Sequence, residues 1–397
     1  MSVIRIFREE NSIDKGWILD SAVLELEGKT LGRLWFRIPE IHKESLSDNL
    51  DHFVLGSLFR AMEEGANILA EGQVSPSLLR NLEEFTAAWA HWLPGKYRDI
   101  SISAATECEP KNAGKSGAIA AFSGGVDAAF TAYRHHAGLA GRLTQKIEAG
   151  MLAHGFDIPL DQSEIFDNAF RNAKAMLKSL DLELIPVATN FREINPGFWA
   201  ETHGAAIASC LLLLQKRYNT GLIGSTEPYR SLILPWGSNP ITDPLLGNDS
   251  FEIIHDGAAF TRTAKVAVIS SWPEALRHLR VCWQAENQER NCGVCEKCIR
   301  TILNFRLHGD NLPECFEKDV TDEELAALNG LNPVPLAYLQ EILDSARKTG
   351  INEKWVVVLE KTIKRNLRSS RGWRKNLADA RNSLALGTRM RRHFSGK

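Results

Sequence analysis

The rhythm of apolar and polar residues changes twice along the chain. Up to about residue 105 it is mixed. Ser21–Glu27 and Leu31–Ile38 alternate as strands do, with a turn at Gly28-Lys29 between them. Apolar residues then recur at helical spacing from Asn49 to Ala66 and from Ser75 to Leu93, and Tyr97–Ala105 reads as a closing strand. No catalytic constellation falls in this stretch, so packing, substrate selection or partner contact is its expected role.

The segment Glu107–Gly117 is polar and contains two glycines, as a linker does. Beyond it, short apolar runs alternate with helical patterns. Gly117–Phe122, Ala149–Gly155, Leu182–Ala188, Gly221–Gly224 and Phe251–His255 read as strands. Asp127–His136, Gln162–Leu180 and Phe198–Gln215 read as the helices between them. Such alternation predicts an α/β fold with a parallel sheet, helices on both faces, and a site along the edge where the strands end. After residue 315 the pattern is helical only, over 322–328, 335–349 and 353–367. The expected organisation is therefore an α+β unit (1–110), an α/β unit (111–315) and a helical extension (316–397).

Composition adds little until charge is located. Hydrophobic residues at 44% and charged residues at 24% are ordinary for a globular protein, and no apolar run is long enough to cross a bilayer. A soluble, cytoplasmic protein without a membrane role is expected. The net charge of −2 conceals an asymmetry, because Lys361–Lys397 holds twelve Lys or Arg against one acid, Asp379. A basic tail on an acidic body suits either a nucleic acid or an acidic protein face, or a solvated helix with neither.

The first strand-to-helix turn of the α/β unit is Ala121-Phe122-Ser123-Gly124-Gly125-Val126-Asp127. Two glycines after a buried strand let successive N–H groups converge on one anion, and the following helix adds its positive end. Ser123 offers a hydroxyl to the same oxygens. Asp127 would repel a phosphate, so holding Mg²⁺ against it is the role expected here. A plain connecting turn with Asp127 near the helix start is the alternative reading.

Of seven cysteines, Cys282, Cys292, Cys295 and Cys298 follow the spacing C-x9-C-x2-C-x2-C. Four thiolates converging in this way describe a closed structural Zn²⁺ site, with an iron–sulfur cluster as the other candidate. Gly293 would relieve the tight turn. Cys108, Cys210 and Cys315 carry no comparable pattern.

The turn at 122–127 resembles the PP-loop of the N-type ATP pyrophosphatases, usually Ser-Gly-Gly-x-Asp-Ser/Thr. With the cysteine set, residues 117–308 are similar to 7-cyano-7-deazaguanine synthase in particular. His154-Gly155-Phe156-Asp157, Gly224-Ser225-Thr226 and Arg262-x-x-Lys265 come in the matching order. The resemblance implies an adenine nucleotide alpha hydrolase-like (Rossmann-like) sheet and an enzyme that converts ATP to AMP and pyrophosphate. The implied ligase adenylates a carboxylate, of deazaguanine type, for attack by ammonia or another amine. Ala121–Asp127, Gly224 and Ser225 would hold ATP, and Ser123, Asp127 and Lys265 would serve catalysis. Trp236, Asp243 and Arg262 would meet the substrate, Trp236 by stacking and Asp243 by accepting ring N–H groups. Ala128 departs from the pattern, standing where a hydroxyl residue is usual. His203, within an apolar helix, reads as a core histidine. The extra regions resemble those of enlarged relatives from bacterial gene clusters, some linked to antiviral defence. They leave room for a protein or nucleic-acid target, and the departure at Ala128 leaves room for a non-catalytic nucleotide-binding scaffold.

Overall fold

The computed structural model describes residues 2–110, 116–282, 290–309 and 311–368. Part of the expected linker and most of the basic tail, 369–397, lie outside the described residues. The chain forms two compact units, Met1–Arg290 and Asn291–Lys397.

The first unit is built on one eleven-stranded sheet. Its strands in chain order are β1 (Val3–Arg8), β2 (Ser12–Asp14), β3 (Trp17–Leu26), β4 (Lys29–Pro39), β5 (Asn67–Val74), β6 (Ile102–Glu107), β7 (Ala118–Ala121), β8 (Ile147–His154), β9 (Glu183–Thr189), β10 (Thr220–Gly224) and β11 (Glu252–Asp256). They lie in the order β11-β10-β7-β8-β9-β4-β3-β1-β5-β6, with β2 paired to β3. The five strands from β11 to β9 are all parallel. Residue 110 falls between β6 and β7, and strands from both sides of it belong to the same sheet.

The seam between the two parts of the sheet is short. β4 and β9 run antiparallel and pair only at Phe36–Thr189 and Arg37–Ala188. Continued by two residues, this register would set Pro39 opposite Pro186, and neither has an N–H to give. Pairing stops there for that reason.

Both sheet faces are covered, as alternate residues of β11 show. Asp256 reaches Thr131 and Arg134 in the helix Val126–His136, whereas its neighbour His255 bonds Asp243 on the other face. The helix Val126–His136 packs against Arg262–Ile269, and Trp199–Leu212 against Asp51–Glu64. The helix Ser163–Lys178 buries Phe166, Ala169, Ala173, Met176 and Leu177, a 3–4 residue spacing that gives it one apolar stripe over β8 and β9. The expected closing strand begins later than Tyr97. Tyr97 is instead buried, with its ring edge-on to Phe59 and Trp89, and β6 starts at Ile102.

The second unit is helical among its described residues. It contains Glu296–Arg306, Asp322–Ala327, Pro333–Lys348 and a helical stretch at 354–368. Thr321 starts the second of these with a capping box, exchanging hydrogen bonds with Glu324. No described helix is long and apolar enough to cross a membrane.

Candidate functional site

The chain passes from β7 to β8 and β9 on one side, then returns to β10 and β11 on the other. Connections therefore diverge between β7 and β10, which leaves a crevice beyond their carboxyl ends. Two sequence segments meet there, Ser123–Gly125 after β7 and Gly224–Thr226 after β10.

Gly124 has φ +75°, a left-handed conformation that side chains resist, and Gly125 is the N-cap of the helix Val126–His136. No side chain caps this helix, so the N–H groups of its first turn lack intrahelical partners. Gly224 is required for another reason. A methyl group there would sit 2.9 Å from the Asp127 carbonyl oxygen and 3.2 Å from Thr131 Oγ1. Only a bare backbone lets β10 lie so close to the first turn of the helix.

A cleft of about 230 Å³ opens at this point, lined by Ala121, Phe122, Ser123, Asp127, Ala128 and Gly224 from the expected nucleotide loop and its neighbours. Phe156, Asp157, Trp199, His203 and Arg280 complete much of its wall. At its edge Asp127 binds two cations. Arg262 Nη2 lies 2.9 Å from one carboxylate oxygen and Lys265 Nζ 3.0 Å from the other. Lys265 is almost fully buried and donates also to the Ser225 carbonyl. Burial lowers the pKa of its ammonium group, and Asp127 opposes that shift. Arg262 opens its helix just after Thr261, whose hydroxyl accepts from Ala264 N at 3.2 Å and fixes the helix start.

The expected residues thus divide into two groups. Asp127, Arg262, Lys265 and Ser225 come together around the β7–β10 crevice. Arg262 and Lys265 each pair with one carboxylate oxygen of Asp127. Trp236 and Asp243 are not among the cleft-lining residues. Asp243 is fully buried and accepts from Ser238 Oγ at 2.6 Å, Asn239 N at 3.1 Å and His255 Nδ1 at 2.7 Å, which makes it the tie of its own loop. Trp236 meets His203 edge-on at 5.7 Å.

Arg280 was not among the expected site residues. Its N–H donates to the Gly124 carbonyl at 2.8 Å and its side chain lines the cleft, so it braces the glycine turn from outside.

The sulfur atoms of Cys282, Cys292, Cys295 and Cys298 all lie within 4.8 Å of one another. Cys292 and Cys298 are 3.8 Å apart. A tetrahedron with zinc–sulfur bonds of about 2.3 Å has edges of about 3.8 Å, so the set fits a single Zn²⁺. Cys295 N donates to Cys292 Sγ at 3.4 Å, which orients one ligand. Gly293 has φ +75°, as the turn between ligands demands. The group can hold a metal such as zinc. Cys210 is buried within its helix, and burial drives its thiol pKa well up, so it stays protonated and inert.

Comparison of the chain with protein-family models, curated proteins and solved structures gave no match.

Proposed function

We propose that the chain is an ATP-dependent ligase that forms AMP and pyrophosphate, activating a carboxylate of deazaguanine type for attack by ammonia or another amine. The observation that carries this reading is the Asp127–Lys265–Arg262 cluster beside an uncapped helix start at the point where strand order reverses. It sets main-chain donors, and two cations fixed by Asp127, at the edge of one cleft, the equipment needed to hold a polyphosphate and neutralise charge as it is transferred.

In the proposed reaction the substrate carboxylate attacks the α-phosphorus of ATP, and the bond to the β-phosphate oxygen breaks. Pyrophosphate leaves with the electron pair. The N–H groups of the first turn of Val126–His136 receive phosphate oxygens, and Ser123 adds a hydroxyl. Lys265 and Arg262 stabilise the departing charge, held in place by Asp127. Mg²⁺, when bound with the nucleotide, would offset further phosphate charge. Carboxylate-dependent exchange of labelled pyrophosphate into ATP tests the reading, starting with a 7-deazaguanine 7-carboxylate. No exchange with any of a broad panel of carboxylates would refute it.

One observation favours a second reading, a nucleotide-binding scaffold without turnover. Ala128 puts a methyl group on the cleft where the resembled loops carry a hydroxyl. A neutral hydrogen bond contributes roughly 0.5–1.5 kcal/mol, so its loss weakens phosphate binding without removing it. ATP binding with no exchange would decide for the scaffold.

A further inference from the structure

Amide formation needs more than an activated carboxyl group. Ammonia and alkyl amines are mostly protonated at neutral pH, and the nitrogen attacks only through a free electron pair. A base must take one proton during transfer, and the residues around Asp127 supply none. Asp127 is held by two cations, and Lys265 is itself buried in that cluster.

His203 lines the same cleft as Ser123, Asp127 and Gly224. Its position is fixed from three sides. Nδ1 lies 3.2 Å from the Trp199 carbonyl one turn back along its helix, so Nδ1 carries the proton and Nε2 keeps its lone pair. Gly237 packs against the same ring edge, so closely that a methyl group there would sit 2.5 Å from Nδ1 and 2.8 Å from Cε1. Trp236 closes the arrangement edge-on. The ring cannot turn over without displacing this loop.

We propose that His203 is the general base of the transfer step, acting through Nε2 on the attacking amine. The assignment rests on the adenylation reading above. As the nitrogen bonds to the carbonyl carbon of the acyl-adenylate, the carbon–oxygen bond to AMP breaks and AMP leaves with the electron pair. The proton lost by nitrogen passes to Nε2, and solvent removes it afterwards. Burial keeps the imidazole pKa below its ordinary value of 6.5, against the pull of Asp243 and Asp157, so the base is unprotonated at neutral pH. The neighbouring histidines are otherwise engaged. His255 donates through Nδ1 to Asp243 away from the cleft lining, and His154 bonds the Pro159 carbonyl.

The test separates the two half-reactions in the purified full-length protein, using a 7-deazaguanine 7-carboxylate, ATP and ammonia. Pyrophosphate exchange reports adenylation, and single-turnover amide formation reports transfer. In His203→Gln the ratio of transfer to exchange is expected to fall by about 10²-fold, the usual contribution of a positioned base. Added imidazole should restore transfer in His203→Ala, which a merely structural histidine would not allow. An unchanged ratio in His203→Gln, or His203→Ala transfer that imidazole does not raise, would overturn the assignment. Absence of exchange in the unsubstituted protein would instead remove the adenylation reading, and the base with it.

Discussion

Asp127 and Lys265 are joined at 3.0 Å although 138 positions separate them in the chain. The contact ties the first turn after the glycine loop to a helix that follows the last strand of the sheet. Removing Asp127 takes the carboxylate away from two cations, one of them buried. Asp127→Ala is expected to cost about 3–5 kcal/mol of stability, the usual effect of breaking a buried pair from one side. The double variant Asp127→Ala/Lys265→Met should recover part of that loss. Urea unfolding of both variants measures the coupling directly, and additive losses would deny it.

Gly224→Ala tests the close approach of β10 to the loop helix. Its methyl group would meet the Asp127 carbonyl at 2.9 Å, and backbone cannot swing aside as a side chain can. A loss of about 1–3 kcal/mol is expected, as for other overpacked sites. Nucleotide binding, followed by titration calorimetry, should weaken in parallel because the first turn is displaced.

Metal analysis of the purified protein should find one zinc per chain. Replacement by cobalt should give the visible absorption of a tetrahedral thiolate site, and Cys295→Ser should abolish it. Iron with acid-labile sulfide in place of zinc would contradict the structural-zinc assignment. Chelation should lower the thermal midpoint, because the binding energy of a closed site is also folding energy.

Asp256 gives the protein an acid-sensitive element. Burial alone would raise its pKa, but His135, Arg134 and Thr131 together hold it below the ordinary 3.8. The folded form thus binds fewer protons than the unfolded chain near pH 4. The resulting stability is complete above pH 3.8 and is lost as pH falls through the lowered value. Asp256→Asn should therefore destabilise strongly at pH 7, by about 3–5 kcal/mol because Arg134 is left buried and unpaired. The gap from the unsubstituted protein should narrow below pH 4. Thermal melts at pH 7 and pH 3 provide the comparison, and an equal gap at both would count against it.

The α/β half was legible because its strands are short, mostly apolar runs set between helices with an apolar stripe. β1 escaped notice although Ile4 and Ile6 alternate with Arg5 and Phe7, the signature of a half-covered strand. β5 escaped because Glu71 and Gly72 interrupt its apolar run. The pairing of β4 with β9 leaves no local trace, since it joins residues more than 150 positions apart. A comparable separation hides the partners of Asp127 from any spacing argument, and only the resemblance had tied Arg262 and Lys265 to the same site. The cysteine set was the easiest feature to read, because three of its ligands fall within seven residues. Asp243 shows the opposite case. A carboxylate in a long loop suggests recognition of a ligand, whereas Ser238, Asn239 and His255 already occupy it.

The opposed prolines beyond the β4–β9 seam have a mechanical meaning. Running the ladder on past Arg37 and Ala188 in the present register would bring an imino acid from each strand face to face. The two rungs at Phe36 and Arg37 are therefore a ladder closed at one end, which can be lengthened only away from the prolines.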